Sequence, residues 1–343
     1  MLQPVNVSYG SDPELFFQRG GQIIGAEKVL PEEGLINPLH GVPFVVLDGV
    51  QCELNPPQSS TPVGVASHIS TAFRLLQQHL AKTPDAEVTC CFNRIVDVSR
   101  KELNSLSEKS RVLGCLPSLN IYGSKPLKCN RETYRKRSPG GHVHVGLKTT
   151  NIYSGSATSP NTDERSRLVP LYDILVGNFS VLLDRDPGAA ERRENYGRAG
   201  EFRLPEHGIE YRTPDNFWLR NYSLMSFVFG MINLATSVLV ETLNGNDLEQ
   251  ELVEIVNIKR VIKAINNNDI TLARKNIADI TPWLMNHLPE SGFPLNPGSI
   301  AKFVALGDRV EKHGIESVFP DDVMTHWNGD HRVEFHTFLE TMN

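Results

Sequence analysis

Gly140-Gly141-His142-Val143-His144-Val145-Gly146 alternates imidazoles with valines and is bounded by glycines on both sides. In an extended strand, residues two apart point to the same face. His142 and His144 therefore share one side, and Val143 and Val145 the other. Three further segments carry polar residues in similar patterns: Ser11-Asp12-Pro13-Glu14, Asp48-Gly49-Val50-Gln51-Cys52-Glu53, and Gly200-Glu201-Phe202-Arg203 with Glu210-Tyr211-Arg212. Asp12 pairs with Glu14, Glu201 with Arg203, and Glu210 with Arg212. One such pair is ordinary; four, mixing carboxylates, imidazoles and guanidiniums, point to one sheet face that holds metal ions and phosphates.

Around these segments the chain reads as strands and loops, with few helices, up to about residue 220. Val5 to Phe17 is predicted as a first strand. Val42 to Leu54 reads as one long strand closed by Asn55-Pro56-Pro57, since proline cannot continue a central ladder. Gly64 to Ala81 is a helix by the spacing of Val65, Ile69, Phe73, Leu76 and Leu80. Glu87 to Val98 is rich in β-formers, and His142 to Lys148 is a short strand entered through the turn Ser138-Pro139-Gly140-Gly141. Leu168 to Leu183 is apolar and helix-length. Glu201–Leu204 and Ile209–Thr213 form a hairpin around Pro205-Glu206-His207-Gly208. Ser154 to Asn161 is a Ser/Thr-rich loop. Beyond residue 220 helices dominate: one stripe through Leu248, Leu252, Ile255, Val256 and Ile262, a second over Thr271–Leu288, and a third over Ser299–Lys312. The class is α+β, with a strand-rich part (1–220) followed by a mainly helical part (221–343) packed on it.

The 343 residues include 40% hydrophobic and 22% charged side chains, ordinary proportions for a globular protein. A net charge of −6 argues against general nucleic-acid or acidic-membrane binding. Arg131, Arg135, Lys136 and Arg137 run against that balance. They read either as a solvated loop or as a mobile phosphate-binding loop leading into the glycine–histidine segment. Five cysteines in irregular spacing, with no CxxC and no signal-like start, suggest reduced thiols in the cytoplasm and no structural zinc. Tyr222 to Val240 holds no charge and is long enough to span a bilayer. Its serines, threonine and asparagine, and its position after a strand carrying site candidates, favour a helix buried against the sheet.

Asp12, Glu14, Asp48, Glu53, Glu201 and Glu210 all lie in apolar, strand-like surroundings. A buried carboxylate needs a metal or a cation. Oxygen-rich sites suit Mg²⁺ or Mn²⁺, and an added imidazole tilts the choice toward Mn²⁺. Arg192, Arg193, Arg198, Arg203 and Arg212 surround the second group of acids. Bidentate guanidinium contacts suit carboxylate and phosphate oxygens, although Arg192 and Arg193 also read as a surface charge run. There is no GxxxxGK[ST] and no GxGxxG after a strand. If ATP is used, metal ions and arginines must hold its phosphates.

These segments, with Leu113-Gly114-Cys115-Leu116-Pro117-Ser118-Leu119-Asn120 and Tyr196-Gly197-Arg198-Ala199-Gly200, resemble the phage-type COOH-NH2 ligases. That family is a branch of the glutamine synthetase and glutamate–cysteine ligase superfamily. The resemblance covers residues 8 to about 220. It implies a curved antiparallel sheet whose concave face holds two or three divalent ions and ATP. It implies that Asp12 and Glu14 serve different ions, and that Asp48 and Glu53 join Glu14. His142 and Glu210 would hold the ATP-side ion, His144 would contact the nucleotide, and Arg212 would neutralise phosphate. Arg198 and Arg203 would meet the γ-phosphate or a substrate carboxylate, with Glu201 beside them in the catalytic group. The wider superfamily usually has Glu where this chain has Asp12, a shorter arm. The implied activity is ATP-dependent amide formation between a small-molecule or peptide carboxylate and an amine, through an acyl phosphate. A guanidino or amine phosphotransferase on the same fold, and a non-catalytic phage protein that keeps the fold, are the alternatives. Homo-oligomerisation stays open.

Overall fold

The computed structural model describes residues 2–82, 87–92, 95–111, 118–123, 135–151, 157–186, 188–288, 295–319 and 327. The chain opens with strands β1 (Leu2–Ser11), β2 (Glu14–Arg19), β3 (Gln22–Ile24), β4 (Leu35–Asn37), β5 (Val42–Asp48) and β6 (Gln51–Leu54), then helix α1 (Pro62–Leu80). There follow β7 (Val88–Cys91), β8 (Val96–Asp97), α2 (Arg100–Ser105), α3 (Glu108–Arg111), β9 (Leu119–Asn120), β10 (Lys136–Arg137), β11 (Val143–Asn151) and β12 (Ala157–Thr158). Next come α4 (Thr162–Ser166), α5 (Leu168–Tyr172), a π-helical turn (Asp173–Gly177), α6 (Asn178–Ser180), α7 (Ala189–Asn195), β13 (Glu201–Arg203) and β14 (Ile209–Tyr211). The last part is helical: α8 (Tyr222–Leu243), α9 (Leu248–Ile255), α10 (Ile258–Asn266), α11 (Ile270–His287), α12 (Pro297–His313) and α13 (Ile315–Val318).

Two six-stranded antiparallel sheets stand where one curved sheet was expected. The first has the order β1-β11-β14-β13-β9, with β12 on β11; the second has β3-β2-β6-β5-β4, with β7 on β2. They meet where β1 passes into β2. The predicted strand Val5–Phe17 breaks there, because Pro13 has no N–H to give a ladder. The break is stitched on both sides: Leu54 N–H donates to Pro13 O at 2.9 Å, and Glu14 N–H donates to Gly140 O at 2.9 Å.

Register explains the sidedness of the first sheet. Ser8 pairs with Gly146 and Gly10 with His144, while Tyr9 pairs with Val145; His144 in turn opposes Glu210. The alternation thus puts the polar residues on one face and Tyr9, Val143, Val145, Leu147 and Tyr211 on the other. Helices cover the apolar face. Tyr9 Oη donates to Asn233 Oδ1 of α8 at 2.5 Å, and Tyr211 Oη donates to Asp173 Oδ1 at 2.6 Å. One apolar core runs from Tyr9 through α1, α5 and α8 to Trp327. Among the described residues, Tyr222–Leu243 is the one helix long and apolar enough to cross a membrane, and 83% of its apolar window is buried inside the protein. Burying each large apolar side chain contributes about 1.5–3 kcal/mol, which accounts for a run free of charge from Tyr222 to Val240 at this position.

Several expectations are corrected. The long strand Val42–Leu54 is a hairpin, β5 and β6, turning at Gly49, whose φ is 61°. A left-handed residue after aspartate is a turn signal. Glu87–Val98 splits into β7, on the second sheet, and β8, which pairs with β10 in a separate ribbon. The part before residue 220 holds short helices as well as α1, all too short to show a period. The stripe from Leu248 to Ile262 breaks at Val256 into α9 and α10, because Asn257 is extended and caps α10 through the Arg260 N–H. Cys115, Cys129, Arg131, the segment 113–117 and residues 154–156 of the Ser/Thr-rich loop lie outside the described residues. Cys52, Cys90 and Cys91 are free thiols.

Candidate active site

Glu14, the first residue of β2, is almost fully buried. Its Oε2 accepts from Gly140 N at 2.6 Å and from Gln51 Nε2 at 2.5 Å, and its carbonyl accepts from Asn216 Nδ2 at 2.9 Å. The β5–β6 hairpin brings Asp48 opposite Gln51, and β6 sets Glu53 opposite Glu14. One oxygen each from Glu14, Asp48 and Glu53 converge within 4.8 Å. Burial, then the charge of Asp48, pushes the Glu14 carboxyl up to about 8. Burial, then Asp12 and Glu14, pushes Glu53 up to about 9. Burial also raises Asp48, against the pull of His142. Glu14 is buried and Asp48 and Glu53 are half-buried; acids this close repel one another, and Glu14 and Glu53 hold protons at neutral pH unless a cation sits among them.

Asp12 lies at the joint between the two sheets. Its Oδ1 is 3.2 Å from His142 Nδ1 and its Oδ2 is 3.1 Å from His144 Nε2. Burial would raise its carboxyl, but the two imidazoles outweigh burial and hold it well below the usual range. His142 Nδ1 is also 3.5 Å from Glu210 Oε1. Burial lowers the His142 pKa; at His144 burial also pulls down, but the charge and hydrogen bond of Asp12 together with the charge of Glu210 raise it. Asp12, His144 and Glu210 form a second group whose ligand atoms lie within 4.8 Å. Asp12 Oδ1, His142 Nδ1 and His144 Nε2 are buried and satisfy no hydrogen bond by direction. Buried polar atoms are normally paired, so converging atoms left this way, with carboxylate and imidazole chemistry, suit Mg²⁺ or Mn²⁺. Either group of residues could hold such an ion.

The glycines ahead of His142 have a steric cause. Gly141 N–H donates to Pro214 O at 3.1 Å, and Gly141 O accepts from Trp218 Nε1 at 3.1 Å. A Cβ there would lie 2.0 Å from Asp215 O. The backbone entering β11 therefore runs against the segment that follows β14, which seats both histidines.

The arginines divide. Arg203 Nη2 donates to Glu210 Oε1 at 2.6 Å, and Arg212 Nε lies 3.0 Å from the same oxygen. Arg212 is fully buried; it also donates to Ser118 Oγ and Tyr196 Oη, each at 2.7 Å. Arg203 is one-third exposed and open to solvent. Arg198 contributes its carbonyl, which accepts from Thr213 Oγ1 at 2.8 Å. Glu201 Oε2 accepts the Gly197 N–H at 3.0 Å and so braces the loop before β13. Arg192 and Arg193 are neither a surface run nor site residues. Both are buried: Arg192 donates to Thr213 O and Pro214 O at 3.1 Å, and Arg193 to Gly197 O at 2.9 Å and Asp184 Oδ2 at 3.3 Å. They hold the backbone behind the site. The basic cluster is likewise engaged: Arg135 pairs with Asp97 at 2.7 Å, Lys136 with Glu191, and buried Arg137 donates to Arg111 O at 2.7 Å.

A pocket of about 400 Å³ opens over Asp12, Glu53 and His144, bounded by Gly10, Gly146 and His207. That volume is in the range of small-molecule sites. Four contributors escaped the reading of the sequence. Tyr196 contacts His142 Nε2; Gln51 supports Glu14; Ser118 receives Arg212; His207 stacks on His144 with ring centroids 5.6 Å apart. Gln51 lies two residues from Glu53 and Tyr196 precedes Gly197, so spacing carried a faint signal for both. Ser118 lies in one of the segments that carry the family resemblance, and nothing local marks His207.

No curated protein matches the chain. Residues 131–257 match the family model described as phage phiEco32-like COOH.NH2 ligase-type 2. The match takes in His142, His144, Tyr196, Arg203, Glu210 and Arg212, and leaves Asp12, Glu14, Asp48 and Glu53 outside it. Over that stretch the chain is similar to enzymes that join a carboxylate to an amine.

Proposed function

We propose that this chain is an ATP-dependent carboxylate–amine ligase. The observation that carries the reading is the pair of acid-rich ligand groups on one side of a pocket of about 400 Å³, with Arg203 and Arg212 fastened to Glu210 beside them. The match to a COOH-NH2 ligase model supports it independently. In this reading a substrate carboxylate oxygen attacks the γ-phosphorus of ATP, the bond to the β-phosphate oxygen breaks, and an acyl phosphate and ADP result. An amine then attacks the acyl carbon, phosphate leaves, and the amine gives up a proton as the amide forms.

Two anions must approach each other in the first step. Phosphoryl transfer asks mainly for positioning and charge neutralisation. Divalent ions, when bound by Glu14, Asp48 and Glu53 and by Asp12, His142 or His144 and Glu210, would supply that screening. The protein's own groups do the rest. Arg203, one-third exposed where it bonds Glu210, is placed to meet a phosphate or a carboxylate. Arg212 fixes Glu210 from the buried side. The stitched joint at Asp12 and Pro13 keeps the two acid groups at a set separation.

The test is release of ADP and inorganic phosphate from Mg²⁺–ATP with pooled carboxylates and pooled amines, for wild type and Glu210→Gln. Release that needs both pools and disappears in the variant is expected. ADP without free phosphate would show phosphoryl transfer to a substrate instead. Absence of any metal-dependent ATP binding would overturn the enzymatic reading.

A further inference from the structure

Tyr196 sits behind His142, outside the group of acids. Its ring is edge-on to the imidazole, with centroids 5.7 Å apart, and its hydroxyl is within hydrogen-bond distance of His142 Nε2. The same hydroxyl accepts from Arg212 Nη2 at 2.7 Å, and the Arg212 guanidinium lies over the tyrosine ring, 4.9 Å from its centroid. A guanidinium donates only, so the phenol oxygen must act as an acceptor toward Arg212.

The other imidazole nitrogen tells which tautomer this arrangement selects. His142 Nδ1 is buried, 3.2 Å from Asp12 Oδ1 and 3.5 Å from Glu210 Oε1, yet neither oxygen lies where an Nδ1–H would point. A proton on Nδ1 would be buried without a well-directed acceptor, which is costly. A proton on Nε2 meets a lone pair of the Tyr196 oxygen, which then accepts from both Arg212 and His142 and directs its own O–H elsewhere; a phenol donating to a bare Nε2 would instead leave the proton on Nδ1. We infer that Arg212 and Tyr196 form a relay that keeps the His142 proton on Nε2 and presents the Nδ1 lone pair between Asp12 and Glu210. The inference rests on the ligase reading in that a divalent ion is what the lone pair would meet there. Tyr196 is a positioning residue: its hydroxyl meets His142 and Arg212. Groups that orient a ligating imidazole through its second nitrogen typically change metal affinity by roughly 10–100-fold when removed.

Mn²⁺ titration followed by electron paramagnetic resonance of the free ion tests this on wild type and Tyr196→Phe. The phenylalanine keeps the ring beneath Arg212 and removes only the hydroxyl. The expected result is a loss of roughly 10–100-fold in affinity at one class of site, with the class formed by Glu14, Asp48 and Glu53 unchanged. A purely structural lesion would weaken both. Nitrogen-15 spectra of labelled histidine in the metal-free wild type should show His142 protonated at Nε2 and bare at Nδ1. This spectrum decides alone if the variant fails to fold. Wild-type affinity at both classes in Tyr196→Phe, or a proton on Nδ1 in the wild type, would overturn the relay. Wild type that binds no Mn²⁺ would remove the metal reading itself, a failure visible before any variant is made.

Discussion

At the scale of single residues, charge placement is the main determinant. Glu14 and Glu53 are held up to about 8 and about 9 by burial and by each other's neighbours, so the metal-free site carries protons it would lose to a cation. Glu53→Gln replaces a carboxyl that must take up a proton to sit among its neighbours with a neutral amide of the same shape. The metal-free variant should therefore melt a few degrees above wild type, while Mn²⁺ should stabilise it less; a lower melting temperature in differential scanning fluorimetry would contradict the repulsion. Arg193 presents the reverse case. Its pairing with Asp184 is fully buried on both sides. Arg193→Met removes the guanidinium that faces the buried Asp184 carboxylate, and loses about 3–5 kcal/mol in chemical denaturation. A loss below about 1 kcal/mol would mean that Asp184 finds another partner.

At the scale of elements, turns decide where the acids point. The β5–β6 hairpin turns at Gly49, and only that turn sets Asp48 and Glu53 on one face beside Glu14. Read as one continuous strand, residues 48 and 53 would point to opposite sides. The glycine at 141 has a different cause, close passage of two backbones. Gly141→Ala should cost about 1–3 kcal/mol through overpacking against Asp215 O and Trp218, read in a urea titration. It should also displace His142, so Mn²⁺ affinity should fall with it. An alanine variant as stable as wild type would show that the Pro214–Trp218 segment can give way.

Over the whole molecule, the acids make stability depend on pH. Glu14, Glu53 and Asp173, the last raised to about 7 by burial, all have folded-state values above their ordinary ones. Such groups contribute stability that is fully present below the ordinary carboxylate value and is lost as pH rises through the folded value. Asp12 has the opposite sign, and its contribution is lost only in acid, below the ordinary value. The unfolding temperature of the metal-free protein should therefore fall from about pH 5 to pH 9. Saturating Mn²⁺ should flatten that decline, because it binds the deprotonated native site and not the unfolded chain. A metal-free protein whose unfolding temperature rises over this range would contradict the assignment of protonated acids.

Antiparallel pairing came from the family resemblance, while local pattern marked the strand around His142–His144, the hairpin of Glu201–Arg203 with Ile209–Tyr211, the helices at 62–80 and 270–287, and the uncharged, buried run from Tyr222 to Val240. Each follows from side chains alternating at a period of two or about 3.6, a property of neighbours along the chain. The polar face was legible for the same reason, since His144 and Glu210 repeat that alternation on β11 and β14, with Asp12 just past the end of β1. Only the tertiary structure decided the division into two sheets, the burial of Arg192 and Arg193 as backbone braces, and the entry of Tyr196, Ser118 and His207 into the site. Those depend on which segments meet in the fold, and Tyr196 with His142 and Ser118 with Arg212 meet across more than fifty residues. A side chain's partner at that distance is set by packing and register, and leaves no mark in the residues beside it.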